Sequence, residues 1–134
     1  MPGGLVTVFI RLCQEVFGMK VVHLDNVEKE IPKMEGASGI WKQIPISKRD
    51  GSPLFCFRVF TFEPGGHTPF HRHPNEHLNY VIRGKGAIVA EDGEEREIKK
   101  GDFALILPNE KHQYKNKSVS EPLVVICAVP VEYE

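Results

Sequence analysis

Hydrophobic and polar positions alternate in short runs after residue 20, and turn-forming residues interrupt these runs every six to ten positions. This pattern predicts many short antiparallel strands, because successive side chains of a strand point to opposite faces. No apolar repeat of 3.6 residues is long enough to predict a helix of any length. The predicted strands cover residues 21–24, 39–46, 54–62, 70–73, 78–83, 86–90, 94–99, 103–107, 112–116 and 123–130.

Turn signals separate these strands. Asp92-Gly93 lies between two of them and predicts a two-residue hairpin turn, because both residue types tolerate a positive φ. Residues 48–53 and 63–66 form two further clusters of turn residues. So many short strands must close on themselves or stack as two sheets to hide their edges. The pattern therefore predicts an all-β sandwich or barrel.

The predicted strand at residues 54–62 reads LFCFRVFTF and is apolar on both faces. Such a strand is expected to be covered on both sides. One cover is the barrel interior, and the other is a second sheet or a second subunit. A homodimer is one interpretation of this strand, and a single large core is the other.

Composition limits the classes of function. The 134 residues include 17 Lys and Arg against 18 Asp and Glu, so the chain lacks the basic surplus of a nucleic-acid-binding protein. The apolar stretch at 5–19 is interrupted by polar residues and lacks a basic start, which disfavours a targeting signal, and it is too short to span a membrane. Three scattered cysteines favour a reducing, cytoplasmic location. We predict one domain at residues 19–134, with residues 1–18 as an N-terminal extension or an extra strand.

Histidine is the unusual part of the composition, with three of six residues inside seven positions. His71 and His73 are separated by one residue in a predicted strand, so both rings point to one face. His77 follows after a turn on the adjoining strand, and His112 begins a late strand. Several buried imidazoles without partners are costly, and a divalent transition metal removes that cost. The residues therefore predict a metal site.

Two segments resemble the motifs of the cupin superfamily. Residues 65–84 read GGHTPFHRHPNEHLNYVIRG and are similar to the first motif, G-x5-H-x-H-x3,4-E-x6-G. Residues 101–116 read GDFALILPNEKHQYKN and are similar to the second, G-x5-P-x-G-x2-H-x3-N. The segment between them is short, as in compact single-domain microbial cupins. The resemblance implies a cupin jelly roll, a double-stranded β-helix barrel, with a divalent metal ion inside it.

The chain departs from the family at one ligand position. The count that gives the family's glutamate falls on His77, and Glu76 lies one residue earlier. Alternation sends Glu76 to the opposite face, so His77 is assigned as the ligand, although the turn before it can reverse this choice. Glu76 stays as an alternative ligand or as a catalytic acid or base. The predicted metal ligands are His71, His73, His77 and His112.

The second motif also departs from the family. Leu107 stands where the family has Pro, and Asn109 stands where it has Gly. Because Asn tolerates the left-handed conformation, the turn is expected to survive.

Four neutral ligands leave the full charge of the metal uncompensated, which favours an anionic substrate. Imidazole ligands suit Fe, Ni, Zn, Co and Cu, and Mn is added by the resemblance. The sequence predicts a divalent transition metal without identifying it.

Three other residues are candidates for contact with a substrate. Arg58 lies in an otherwise apolar strand, where it can face a bound carboxylate or, alternatively, lie at a sheet end or pair with an acid at an interface. Tyr80 and Tyr114 can line the barrel cavity or belong to the core or to a dimer surface.

These features predict a metal-dependent enzyme that acts on a small, anionic or oxygen-rich metabolite, with an oxygenase, decarboxylase or isomerase outcome. The alternative is a non-catalytic module that binds a metal and a small ligand in the same pocket. A purely structural jelly roll is disfavoured because the set of metal ligands is complete. The expected partners are a small molecule in the barrel and a second copy of the chain, and neither nucleic acid nor a membrane.

Overall fold

Antiparallel strands account for most of the regular structure. The computed structural model describes residues 18–134, and the predicted extension at 1–18 therefore lies almost wholly outside the described residues. Within this described part the strands are β1 Ser38–Ile46, β2 Phe55–His67, β3 His77–Arg83, β4 Lys85–Ala90, β5 Glu95–Lys99, β6 Phe103–Ile106, β7 His112–Lys115 and β8 Leu123–Pro130. Short 3-10 helices lie at Leu24–Asn26, Lys48–Asp50 and Val131–Tyr133. No helix among residues 18–134 is long and apolar enough to cross a membrane.

The strands form one sheet that curls on itself in the order β5-β4-β7-β2-β8-β3-β6, with β1 added beside β2. The first part of β2 pairs with β1 and β8, and its end pairs with β7 through His67 and Lys115. One strand therefore belongs to both walls of the barrel. The all-β barrel predicted from the sequence is confirmed.

The prediction of a turn at residues 63–66 is wrong, because β2 runs through it to His67. Gly65 has a φ of 78°, and Gly66 packs directly on the backbone of β1. A Cβ atom at Gly66 would lie 2.5 Å from the carbonyl oxygen of Gly39. The two glycines therefore let β2 bend from one wall of the barrel to the other without ending.

Two predicted strands do not form. Residues 21–24 are irregular and lead into the first 3-10 helix, and Val21 is 90% exposed because no strand among residues 18–134 lies beside it. Residues 70–73 form only a single bridge, between His71 and His112. Pro69 and Pro74 flank that segment, and a proline has no N–H with which to extend a ladder.

The hairpin signal at Asp92-Gly93 is confirmed, with a different loop length. The amide of Ala90 donates to the carbonyl of Glu94, so three residues form the loop between β4 and β5. The amide of Gly93 donates to the carbonyl of Ala90, and Gly93 has a φ of 86°. This is a type I turn followed by a glycine in the left-handed region, the usual three-residue hairpin.

The core fills the inside of the barrel. Inward side chains of β2 and β8 supply much of it: Cys56, Phe60, Phe62, Leu123, Val125, Cys127 and Val129. On the opposite face of β2, Phe55 is 61% exposed and Phe57 is 46% exposed. The inner face of this strand is therefore covered within the chain, whereas a cover over these two outer residues by a second subunit stays a prediction.

Candidate metal centre

Three structural elements bring the four predicted histidines to one end of the barrel. His71 and His73 lie in the segment between β2 and β3, and His77 and His112 are the first residues of β3 and β7. The amide of His71 donates to the carbonyl of His112 at 3.0 Å, and the amide of His112 donates back at 2.9 Å. These two hydrogen bonds hold the segment against β7, although the segment is too short to form a strand.

Three of the four rings form a compact cluster. The ring nitrogens of His71, His73 and His112 that could bind an ion lie within 4.8 Å of one another. The closest pair is Nε2 of His73 and Nε2 of His112, at 3.3 Å. Two nitrogens bound at ~2.0–2.1 Å to one tetrahedral ion lie about 3.3 Å apart. The pair already has the spacing of two ligands on one metal, and the third ring needs a small movement to join them.

Backbone carbonyls orient these two rings. Nδ1 of His73 lies 2.8 Å from the carbonyl oxygen of Asn75, and Nδ1 of His112 lies 2.7 Å from that of Glu110. A nitrogen beside a carbonyl oxygen must donate, so the proton of each neutral ring is assigned to Nδ1. Both Nε2 atoms then carry lone pairs, and the two lone pairs face each other. A cation between them resolves that conflict, and the donor set therefore fits a metal ion.

The environment favours the neutral form of three rings, His71, His77 and His112. Burial, with a contribution from His112, lowers the pKa of His71 to about 4. Burial lowers the pKa of His77 to about 3, and it also lowers the pKa of His112. Neutral imidazole is the form that binds a metal, so the site is ready to bind near neutral pH.

His77 occupies a different position from the other three. Its ring stacks on that of His73, with centroids 3.8 Å apart and planes 12° from parallel. Its Nε2 lies 3.5 Å from Nη2 of Arg58, and its ligating atoms are not among those that cluster within 4.8 Å. The structure therefore brings together three of the predicted ligands and places the fourth between them and an arginine.

Arg58 lies in the wall of the same cavity and is only 8% exposed. Nη1 donates to the carbonyl of Tyr133 at 3.2 Å, and Nη2 donates to Sγ of Cys127 at 3.3 Å. Its Nε is buried and has no hydrogen-bond partner among the described residues. No carboxylate in the described part of the chain forms an ion pair with Arg58, and the alternative of an acid at an interface stays a prediction.

The cavity has a volume of about 230 Å³. The imidazoles, Arg58 and two asparagines form its polar part, and its apolar part is formed by Met34, Phe60, Phe62, Val125 and Tyr114. The Tyr114 hydroxyl donates to Oδ1 of Asn79 at 2.8 Å. Burial raises the pKa of the Tyr114 phenol, so this residue stays neutral in the wall.

The other two candidates lie elsewhere. Tyr80 is not among the residues that line the cavity, and its ring packs against Phe103 with centroids 4.5 Å apart. Glu76 is exposed and also lies outside the cavity wall. Alternation explains both positions, because the inward residues of this region are His77 and Asn79.

Several lining residues were not singled out from the sequence. Phe60 and Phe62 follow Arg58 at intervals of two, and Asn79 follows His77 at the same interval. The period of a strand thus carried a signal that could have found them. Met34 lies in the segment before β1, and no local pattern connects it to the barrel.

Comparison with known proteins identifies the class. The cupin domain family matches residues 58–129, which is more than half of the chain and includes all four histidines. The chain therefore belongs to the cupin family. Asn109 has a φ of 63°, so it adopts the left-handed conformation expected where the family motif has glycine.

The matched relatives are enzymes by name. A gentisate 1,2 dioxygenase from Aquipseudomonas alcaligenes is 36% identical over 61 residues, which cover 46% of this chain and 17% of that protein. An (R)-mandelonitrile lyase from Granulicella tundricola is 42% identical over 68 residues, which cover 51% of this chain and 52% of the relative. The chain thus spans about half, or less, of the length of these relatives.

Solved structures agree on the fold. The polyketide cyclase RemF from Streptomyces resistomycificus matches with a TM-score of 0.80 and 29% identity, over 84% of this chain and 80% of that one. A predicted oxalate decarboxylase from Thermotoga maritima matches with a TM-score of 0.72 and 23% identity, over 83% of this chain and 98% of that one. The second likeness concerns the fold alone.

Proposed function

We propose that this cupin is a metal-dependent enzyme that acts on a small anionic or oxygen-rich metabolite in the barrel cavity. The observation that carries the proposal is the pair of Nε2 atoms of His73 and His112, 3.3 Å apart, with the protons of both rings assigned to the opposite nitrogens. His71 is the third ligand, since its ring nitrogens belong to the same cluster. The ion is divalent Fe, Mn, Ni, Zn, Co or Cu.

Each part of the cavity has a role in this proposal. When bound, the ion would act as a Lewis acid that polarises an oxygen of the substrate. Arg58 binds the anionic group of the substrate, and Tyr114 supplies a neutral part of the wall. Glu76 and Tyr80 are left out, because neither lines the cavity. A bond from His77 to the ion requires its ring to leave the stack on His73.

The relatives favour an enzyme over a binding module. The dioxygenase, lyase and cyclase among them share this fold or part of this sequence and carry catalytic names. An oxygenase, decarboxylase or isomerase reaction is the finer part of the proposal. A module that binds metal and ligand without turnover uses the same residues, so experiment must separate the two.

Metal analysis followed by turnover assays tests the function. We expect the purified protein to contain close to one transition-metal ion per chain and to consume oxygen or convert a small carboxylate, enediol or diketone. Tight retention of such a ligand without turnover would support the binding module. A protein that binds none of the six metals, and whose metal titration is the same in a His71→Ala, His73→Ala variant, would contradict both.

We also propose a homodimer that forms through the outer face of β2, β8, β3 and β6. Phe57, Ala128, Leu78 and Leu105 stand side by side across these strands. The exposed apolar side chains of this face, here called the outer apolar face, are Phe55, Phe57, Leu78, Phe103 and Leu105. A contiguous apolar face of this kind marks an interface more often than a free surface.

Sedimentation equilibrium tests the dimer. A Leu78→Lys, Leu105→Lys variant should be monomeric, because it places two charges in the centre of the outer apolar face. Val119→Lys is the matched control, since Val119 is 95% exposed and lies in the loop before β8. A monomeric unmodified protein at concentrations where dimers of this size form would contradict the proposal.

A further inference from the structure

Within residues 18–134, the buried guanidinium of Arg58 has no carboxylate paired with it. The residue is 8% exposed, its Nε has no hydrogen-bond partner in this part of the chain, and its polar contacts there are a carbonyl, a thiol and a neutral imidazole. No carboxylate is among the residues that line the cavity. Because a buried charge is costly unless it is paired, we expect a ligand of the cavity to supply the anion.

Carboxylate is the small anion that suits this group. A guanidinium pairs with a carboxylate through two parallel N–H···O bonds, which gives both strength and orientation. Nη1 is held by the carbonyl of Tyr133, and Nη2 makes only long contacts of 3.3 and 3.5 Å. Arg58 is therefore anchored on one side and weakly satisfied on the other.

Part of the cavity favours an apolar group on the ligand. Phe60, Phe62, Val125 and Met34 line the same cavity as Arg58. Cζ of Arg58 lies 5.1 Å from the centroid of the Phe60 ring, so the cation and the aromatic wall are adjacent. A short aliphatic acid would leave this wall without contacts, whereas a flat ring would pack against it.

The volume of the cavity limits the ligand to one ring. An apolar cavity of roughly 150 Å³ is enough to hold benzene. The present cavity has about 230 Å³. That leaves room for one six-membered ring with a carboxylate and small substituents. Pockets for drug-sized molecules begin at about 300 Å³, so two fused rings are disfavoured.

These observations rest on the function proposed above and extend it to a substrate class. We infer that the cavity binds a monocyclic aromatic carboxylate, with the carboxylate on Arg58 and the ring against Phe60 and Phe62. Substituents of the ring would then reach the side of the cavity formed by His71, His73 and His112. Arg58 and the aromatic wall thus determine specificity.

Calorimetric titration with four probes tests this inference on the full chain. Benzoate carries both features, acetate lacks the ring, benzyl alcohol lacks the charge, and 1-naphthoate has a second ring. We expect benzoate to bind at least tenfold more tightly than each of the other three. The measurement is made on chelator-treated and on metal-loaded protein, so it does not depend on turnover.

Substitutions separate the two features. Arg58→Met should weaken benzoate at least tenfold and leave benzyl alcohol unchanged, and Arg58→Lys should weaken benzoate less. Val125→Met, which fills the apolar part, should weaken benzoate and leave acetate unchanged. Arg83→Met is the matched control, because Arg83 is exposed and paired only with Glu121 at 3.6 Å. Unfolding curves show whether each variant folds, and Arg58→Lys and Val125→Met keep the test valid if Arg58→Met does not.

Several results would overturn the inference. They are equal affinity for acetate and benzoate, equal affinity for benzyl alcohol and benzoate, tighter binding of naphthoate, or unchanged benzoate affinity in folded Arg58 variants. The metal content of the same samples is measured separately. Benzoate binding by a protein that takes up no metal would contradict the proposed function and support this inference. A metal-loaded protein that does not bind benzoate would contradict this inference and leave the proposed metal site supported.

Discussion

The two sides of the barrel cavity present opposite polar groups, neutral nitrogen lone pairs on one side and a positive charge on the other. On the imidazole side, His73 and His112 each use one nitrogen on a backbone carbonyl and present the other to the cavity. On the other side, Arg58 carries a permanent charge and has an unsatisfied Nε. Neutral donors with free lone pairs suit a cation, and an unpaired cation suits an anion. The proposed metal ion and the proposed anionic ligand would therefore share one cavity of about 230 Å³.

The largest expected effect is on metal affinity, which should depend on the imidazole side of the cavity and not on the Arg58 side. His73→Ala should reduce the affinity for Zn²⁺ by more than the ~10–100-fold that follows loss of a residue that only orients a ligand. Arg58→Met should leave that affinity unchanged or raise it, because it removes a like charge near the ion. Competition titration with a chelator measures both values. Equal losses in the two variants would remove the distinction between the sides.

His77 lies between the two sides, and its substitution tests whether it belongs to the metal ligands. His77→Ala should reduce metal affinity less than tenfold, because its ring stacks on His73 and its ligating atoms lie outside the cluster. His71→Ala should cause a far larger loss in the same titration. His67→Ala is the matched control, since Nδ1 of His67 contacts the carbonyl of Thr68. A loss in His77→Ala as large as in His71→Ala would make His77 a fourth ligand.

Acid should lower the free energy of unfolding of the metal-free protein, because it protonates the histidines of the imidazole side. The pKa values of His71 and His77 are about 4 and about 3 in the folded chain, against 6.5 for an ordinary histidine. Between pH 6.5 and 4 the unfolded chain therefore binds more protons than the folded one, and stability falls as the pH decreases. Above pH 6.5 this contribution to stability is fully present.

Urea unfolding of the chelator-treated protein at pH 7.5, 6 and 5 measures this dependence. We expect the midpoint to fall steadily with pH. A His71→Gln, His77→Gln variant should show a flatter profile, because glutamine does not titrate. A midpoint that stays constant or rises on acidification would count against the neutral, buried state of these rings.

The smallest expected effect concerns the wall between the two sides. Tyr114→Phe removes the hydroxyl that donates to Asn79 and leaves a buried acceptor without its partner. The free energy of unfolding should fall by about 1 kcal/mol. Tyr80→Phe is the control, because Tyr80 packs on Phe103 outside the cavity and should change stability by less. Thermal unfolding checks both, and equal changes would show that the Tyr114 hydrogen bond contributes nothing.

The fold was largely readable from alternation and turn residues. The predicted strands at 39–46, 54–62 and 123–130 correspond to β1, β2 and β8, and Asn109 takes the conformation expected from its residue type. The wrong strand and turn predictions lie where the local sequence pattern does not determine which segments pack together. Val21 and its neighbours have strand character but no strand beside them, and the glycines of 63–66 bend a strand instead of ending it.

The candidate site likewise has a part that was predictable from local spacing and a part that was not. Spacing alone placed His71 and His73 together, because both are local neighbours in an extended segment. It assigned His77 and His112 equal roles, and the structure separates them, with His112 bridged to His71 and His77 stacked on the far side of His73. The separation depends on how β3 and β7 meet the segment between β2 and β3, which is a long-range property.

What the sequence determined by itself is the strand pattern, the cupin family and the set of imidazoles, because periodicity and motif spacing are local. Only the tertiary structure decided that the cavity has two sides. Arg58 faces the histidines because the pairing of β2, β8 and β3 places Cys127 beside it and His77 within 3.5 Å. Among the described residues it has no anionic partner, which depends on all the elements that pack around it and therefore has no local signal in the sequence.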